Sequence, residues 1–224
     1  MLTCEYESTA LNTTDFPVLY SFRRCPYAIR ARITLLLCAQ CVELREVLLN
    51  NKPPQMVALS KKATVPILCL TDKRVLDESL EIMRWAIAES GDPAGLFADT
   101  SQQQKQLDLI ARNDSEFKYW LDRYKYHVRF PEYPQEYYRR KACQFLHGLE
   151  ARVASTQHLF GTQPQLADVA IMPFIRQFSG VDKEWFDSSY ESLSNWLGGW
   201  MESPVFQAAM VKHSPWLDAV AAER

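Results

Sequence analysis

The sequence predicts an α+β protein in two parts, a mixed four-stranded sheet with helices packed on it, followed by an all-α bundle. Three observations carry this. Strand-like and helix-like signals alternate through the first ninety residues, a Gly/Pro-containing break follows at Gly91 to Ala98, and strand signals vanish from Ser101 onward. At 224 residues the chain exceeds one ordinary domain of roughly 100 to 200 residues without filling two large ones. The expected division is an extension over 1–16, a sheet domain over 17–93 and a helical domain over 94–224.

Pro17 to Phe22 is a short apolar run that reads as the first strand, and Pro26 to Ala39 places Ile29, Ile33 and Leu36 at helical spacing. Val42 to Val47 alternates, with Val42 and Leu44 opposite Glu43 and Arg45, as a strand does. A polar loop around Asn50 to Pro54 and a short helical stretch follow. Ile67 to Leu70 and Arg74 to Leu76 then flank Thr71-Asp72-Lys73 as a hairpin, and Ser79 to Glu89 is helical. The first two strands need a crossover and the last two do not, so one mixed sheet accommodates all four. In the second half Leu107, Ile110, Phe117, Leu121 and Tyr124 mark one long helix, and Tyr138, Ala142, Phe145, Leu149 and Val153 mark an antiparallel second. Leu166 to Phe178, Leu193 to Met201 and the residues after Pro204 complete the bundle, with Pro173 expected to kink a buried helix.

Hydrophobic residues at 47% and charged residues at 23% supply enough apolar material for real cores and exclude disordered and fibrous architectures. Lys+Arg 25 against Asp+Glu 27 gives a net charge of -2, so no uncompensated basic surface points to nucleic acid or to an anionic membrane. The N-terminal residues do not read as a secretion signal, and no stretch approaches the ~20 apolar residues of a spanning helix. A cytoplasmic protein is expected, with its six cysteines (Cys4, Cys25, Cys38, Cys41, Cys69 and Cys143) as reduced thiols.

The most informative tetrapeptide is Cys25-Pro26-Tyr27-Ala28. It puts a cysteine directly after a strand and a proline at the first helical position, where a missing N–H costs nothing. At or near an N-cap, the unpaired backbone N–H groups and the positive helix end favour thiolate over thiol, and Arg23 and Arg24 add positive potential. The bland alternative is a small residue capping a core helix. Ala28 stands where a dithiol oxidoreductase would carry its resolving cysteine, so disulfide exchange here needs an external thiol.

Arg24-Cys25-Pro26-Tyr27-Ala28, Asn51-Lys52-Pro53, Val65-Pro66-Ile67-Leu68 and Leu76-Asp77-Glu78-Ser79, in this order and at these separations, resemble the N-terminal domain of cytosolic glutathione transferases, most closely the cysteine-type Omega class. With Leu166-Ala167-Asp168 and Trp196 to Phe206 in a following bundle, the resemblance covers about nine tenths of the sequence, all but the first sixteen residues. It implies a thioredoxin-like, glutathione-binding first domain and a glutathione-transferase-like whole. Glutathione is then the cosubstrate, no metal is required, and a homodimer is expected.

The resemblance also assigns roles. Cys25 would face the glutathione sulfur, and Val65, before a cis Pro66, would offer its backbone to the cysteinyl part. Glu78 would take the ammonium group, Ser79 at a helix start the γ-glutamyl carboxylate, and Lys52 the glycyl carboxylate. Singly, a Glu-Ser pair is an ordinary cap, a Val-Pro a turn and a loop lysine a solvated residue. Together they imply a thiol transferase or reductase working through a Cys25–glutathione mixed disulfide, on small oxidised compounds such as dehydroascorbate or on glutathionylated thiols. Conjugation to electrophiles, for which Tyr20 or Ser21 would be the activating hydroxyl, and a non-catalytic binding or stress-regulatory module are the alternatives.

One departure stands in the second half. Gln165 occupies the position where the family's capping box carries Ser or Thr before Asp168, so the cap is expected to be altered and Asp168 to be structural. Cys38 and Cys41 form the single Cys-x-x-Cys, but the four scattered histidines offer no zinc-like second pair; a helix-end Cys38 and a loop Cys41 are expected. Tyr119, Trp120, Tyr124 and Trp185 are read mainly as core, with one or two available to an acceptor-substrate pocket, and Arg123 to Arg140 as a solvated loop between helix ends.

Overall fold

The computed structural model describes residues 15–97 and 99–216, so most of the N-terminal extension, Cys4 and the last linker residue, Ala98, lie outside the described residues. The chain divides into two compact units, and the described part of the first comprises residues 15–94 and 204–216.

In this unit strand β1 (Val18–Ser21) leads into helix α1 (Pro26–Leu37), which returns the chain so that β2 (Glu43–Glu46) pairs with β1 in parallel. Helix α2 (Pro54–Leu59) precedes β3 (Ile67–Cys69), antiparallel to β1, and a tight turn brings β4 (Val75–Leu76) back against β3. The sheet order is β2-β1-β3-β4, the mixed four-stranded arrangement expected. Helix α3 (Ser79–Ser90) packs against α1 and ends on Gly91, whose φ of 70° is the left-handed conformation that glycine adopts without strain.

Alternation along the strands separates two faces. Tyr20, Val47, Met56, Val65 and Ile67 form one buried cluster, while the paired Leu19 and Leu68 point the other way and are equally buried. Helix α1 is enclosed on nearly every side, from Ala28 through Leu35, and that enclosure includes two arginines, Arg30 and Arg32. Buried arginines on a helix beside the candidate nucleophile are not what an apolar spacing alone announces. Helix α10 (Pro204–Ala209) also belongs to this unit and packs on α1, where the expected helical domain ran unbroken to residue 224.

The second unit, Gly95–Ser203, is built of helices joined by loops, with no strand beyond the isolated His158–Gly161 bridge among its described residues. Helices α4 (Gln103–Arg112) and α5 (Lys118–Lys125) stand where one long helix was expected; between them lies a π-helical turn, Asn113–Phe117. The turn keeps Ile110, Phe117 and Leu121 buried, so the apolar spacing does not betray it. Helix α6 (Gln135–Thr156) runs beside α5, followed by α7 (Leu166–Ser179), with Pro173 inside it, α8 (Lys183–Ser189) and α9 (Glu191–Glu202). The seven-residue α8 escaped the sequence reading because two turns are too short to show periodicity; its signal is Asp182, whose carboxylate accepts the Trp185 N–H at 3.1 Å.

The cap of α7 is altered as expected, with Gln165 in place of a hydroxyl residue, yet the Asp168 half of the capping box stands, its carboxylate accepting the Gln165 N–H. The fully buried Asp168 accepts from the backbone of Gln165 (3.0 Å) and Leu159 (2.9 Å) and from the Trp196 indole (3.1 Å). A buried Gln106 on α4 adds an acceptor for the Ala167 N–H at 3.0 Å. Helix α7 therefore starts on a network drawn from four segments, and Asp168 is structural.

Candidate functional site

Cys25 is the N-cap of α1, with extended φ/ψ of −73° and 123°, and Pro26 takes the first helical position. Its carbonyl accepts the Ile29 N–H at 2.9 Å and its own N–H donates to Phe22 O at 3.0 Å, so the backbone at the thiol is fixed from both sides. The side chain is half-buried, and Sγ lies 3.7 Å from Val65 O, to which the thiol donates. The Val65–Pro66 peptide is cis, as expected, and leads straight into β3. Residues forty positions apart thus meet at one point, a half-exposed sulfur beside a backbone carbonyl at the end of a strand. Ala28 is fully buried in the next turn.

Glu78 is the N-cap of α3 and Ser79 its first residue. The Ser79 hydroxyl is buried and accepts from Arg30 Nε at 3.0 Å, while the Arg30 guanidinium lies 4.9 Å from the centre of the Tyr27 ring. Because Oγ accepts from the arginine, its own proton is directed elsewhere. Glu78 carries its carboxylate outward, 56% exposed, and pairs with Lys62, which also reaches Asp77 Oδ1 at 3.4 Å. Asp77 in turn accepts from Ser60 Oγ at 2.6 Å. The Ser60 hydrogen bond, with help from Lys62, holds the Asp77 carboxyl below its usual range, and the two acids hold Lys62 above its own.

The structure therefore brings Cys25 to Val65 and Pro66, and ties α1, which carries Cys25, to Ser79 through Arg30. Lys52 stands on another segment, between the Leu48–Asn51 bridge and Pro53, and the cation that Glu78 meets is Lys62. Arg30 and Lys62 are the two residues the sequence reading missed. The signal for Arg30 is a charged residue within the otherwise apolar Ala28–Leu35 stretch; for Lys62 none exists, since a Lys-Lys pair in a loop is ordinarily solvated.

The alternative hydroxyls are engaged elsewhere. Tyr20 is buried and accepts from Arg45 Nη1 at 2.9 Å, and burial pushes its phenol up although Arg45 pulls the other way. Ser21 is fully buried against Arg32 Nη1. Cys38 caps the end of α1 in a buried position, where burial raises its thiol, and Cys41 is exposed. All five described cysteines are free thiols. In the second unit Tyr124 and Trp185 pack around Phe178, whereas Tyr119 is exposed and lies under Arg123. Among the described residues no group of three His, Cys, Asp or Glu side chains is placed to hold a metal, and no helix is long and apolar enough to cross a membrane.

Residues 19–94, a third of the chain, match the family model of the glutathione S-transferase N-terminal domain. Curated proteins yield no match. Solved structures similar to this one include a glutathione transferase family member from Pseudomonas fluorescens Pf-5 with two glutathione bound (TM-score 0.76, 17% identity, 88% of this chain and 92% of that one). A glutathione transferase from Pseudomonas putida, with one glutathione disulfide bound per subunit, gives TM-score 0.73 at 19% identity over 88% and 91%. A Tau class glutathione S-transferase from mango, Mangifera indica, gives 0.72 at 19% over 88% and 93%. The thioredoxin-like sheet, the helical second unit and these likenesses together establish that the chain has the glutathione transferase fold, its first unit matching that family's N-terminal domain.

Proposed function

We propose that the protein is a glutathione-dependent thiol transferase or reductase of the cysteine-using, Omega-like kind, in which Cys25 is the nucleophile. The observation that carries this reading is the thiol itself: Cys25 caps α1 with its sulfur beside Val65 O, while Tyr20 and Ser21, the hydroxyls that conjugation would call on, are buried against arginines. The glutathione bound by the Pseudomonas proteins of the same fold supports the choice of cosubstrate.

In the proposed cycle the Cys25 thiolate attacks the glutathione sulfur of a mixed disulfide R–S–S–G. The S–S bond breaks, R–S⁻ leaves and takes a proton from water, and Cys25–S–S–G forms. A second glutathione thiolate then attacks the glutathione sulfur of this adduct, releasing oxidised glutathione and the Cys25 thiolate. Over this cycle one glutathione thiol is consumed and one R–SH and one oxidised glutathione are formed; with dehydroascorbate as acceptor, two glutathione thiols are consumed, and their two electrons and two protons yield ascorbate and one oxidised glutathione. Val65 would pair its backbone with the cysteinyl part beside the cis Pro66, and the Ser79 hydroxyl, accepting from Arg30, would donate its proton to the γ-glutamyl carboxylate at the positive end of α3. Glu78 would receive the ammonium group in exchange for Lys62, and Lys52 would pair with the glycyl carboxylate. A homodimer working in the cytoplasm is part of the same proposal.

The test is steady-state reduction of a glutathione mixed disulfide by wild type, Cys25→Ala and Cys25→Ser. Loss of at least a hundredfold in both variants is expected, on the order of what removing a covalent nucleophile does. Undiminished turnover in both would overturn the assignment.

A further inference from the structure

We propose that Arg32 and Glu46 form a clamp that positions Cys25, and that the C-terminal segment 204–216 is a working part of this clamp. Within the loop that presents the thiol, Phe22 to Cys25, the Cys25 N–H bonds to Phe22 O, whereas the N–H and C=O of Arg23 take their partners from outside the loop. Arg32, two turns further along α1 and almost fully buried, supplies the donors: Nη2 to Arg23 O at 2.7 Å, Nη1 to Phe22 O at 3.4 Å and to the Ser21 hydroxyl. Glu46, at the end of the edge strand β2, supplies the acceptor, Oε1 taking the Arg23 N–H at 2.7 Å. A cation grips the carbonyls of the loop and an anion grips its amide.

The C-terminal segment closes the clamp from behind. Arg32 Nε donates to Ala209 O at 2.9 Å at the end of α10, and the Trp216 N–H donates to Glu46 O at 2.7 Å, adding one backbone bond to the open edge of β2. The Trp216 indole lies 4.4 Å from the Arg45 guanidinium and edge-on to Tyr20, and both Trp216 and Cys25 pack against the cluster of Tyr20, Val47, Met56, Val65 and Ile67. A planar guanidinium reaches oxygens of Ser21 to Arg23 and of Ala209 at once, which a lysine ammonium on a flexible stem does not.

The clamp also has a sign. Among the described residues, the ionisable groups around the loop and the cluster behind it include Arg23, Arg24, Arg32, Arg45, Glu46 and His213. Burial pushes the Glu46 carboxyl up, opposed by the Arg23 N–H and by the charges of Arg32 and Arg23; burial and Arg32 together push His213 down. Above neutral pH His213 is therefore uncharged, and Arg32 and Glu46 act on the Cys25 sulfur with opposite charge, Arg32 favouring its thiolate and Glu46 opposing it.

The inference rests on Cys25 being the nucleophile, but its test reads alkylation, not turnover. Wild type, Arg32→Lys, Arg32→Met, Glu46→Gln and Trp216→Pro are treated with iodoacetamide from pH 5 to 9, and the rate at Cys25 is followed by peptide mass mapping. Arg32→Met should raise the pH midpoint of Cys25 alkylation by roughly half a pH unit, and Glu46→Gln, which keeps the acceptor and removes the charge, should lower it by a similar amount. Arg32→Lys should keep the midpoint near wild type while altering the limiting rate. Trp216→Pro, which deletes the donor to Glu46 O, should alter the limiting rate through the same loop. Shifts of the same sign in Arg32→Met and Glu46→Gln, or a midpoint and rate unmoved in both, would overturn the proposal. If Arg32→Met does not fold, Glu46→Gln and Trp216→Pro decide it, and an unmoved Cys25 in both counts against the clamp. A Cys25 unreactive in the wild type would sink the proposed function as well; a reactive Cys25 indifferent to these changes sinks the clamp alone.

Discussion

Replacing Asp168 by Ala should destabilise the protein by about 4 kcal/mol without touching the chemistry at Cys25. The carboxylate is fully buried and accepts three hydrogen bonds, from Leu159 N, Gln165 N and the Trp196 indole. Each buried donor left without a partner costs about 1–3 kcal/mol. Three orphaned donors bound the loss at roughly 3–9 kcal/mol, and water entering the vacated space recovers part of it. Asp168→Asn keeps the shape and an oxygen for the two donors at Oδ1, but turns an amide N–H₂ toward Gln165 N, so about 2 kcal/mol is expected. Urea unfolding followed separately by far-UV circular dichroism and tryptophan fluorescence checks both the loss and the coincidence of the two probes. Alkylation of Cys25 by iodoacetamide, measured well below the unfolding transition, should stay within twofold of wild type. A loss under 1 kcal/mol for Asp168→Ala would refute the account of α7 as a helix started by this buried network.

Lys62→Ala should strengthen retention on immobilised glutathione by no more than about fivefold, because an exposed ion pair competes only weakly for Glu78; weakened retention would show Lys62 to be a ligand of the tripeptide itself. Glu78→Gln should lower that retention at least tenfold, and unchanged retention would remove Glu78 from the site. Tyr20→Phe should leave mixed-disulfide reduction within twofold, since the Tyr20 hydroxyl is engaged by Arg45; a large loss would favour hydroxyl activation. His213 has its pKa lowered by burial and by Arg32, so its contribution to stability is present above the unfolded value near 6.5 and is lost as pH falls through the lower folded value. His213→Gln should accordingly flatten the stability profile below pH 6.5, and an unchanged slope in thermal melts across that range would contradict the burial argument.

Much of the fold was legible because its signals are local. The Val42 to Val47 alternation marks β2, Thr71-Asp72-Lys73 marks the β3–β4 turn, and Cys25-Pro26 marks the start of α1 as well as the candidate nucleophile. What escaped depends on partners distant in the chain. The π turn at Asn113–Phe117 preserves the apolar spacing of a plain helix, so periodicity passes over it. The replacement of a hydroxyl cap by Gln165 looked like a loss because Gln106, fifty-nine residues away and bonded to Gln165, is invisible to a local motif. At the site, Cys25, Val65, Pro66, Glu78 and Ser79 were readable as motifs, whereas Arg30 and Lys62 acquire meaning only when α1 and the loop before β3 are brought to the start of α3. The return of residues 204–216 to the first unit is a long-range packing event, and no composition shift at Pro204 announces it.

The most direct test of the central claim is mass spectrometry of the intact protein after incubation with oxidised glutathione, followed by peptide mapping. The account predicts one glutathione adduct, on Cys25, removed by reduced glutathione and absent from Cys25→Ser. An adduct confined to Cys41 or Cys69, or none at all under conditions where Cys25 reacts with iodoacetamide, would contradict it.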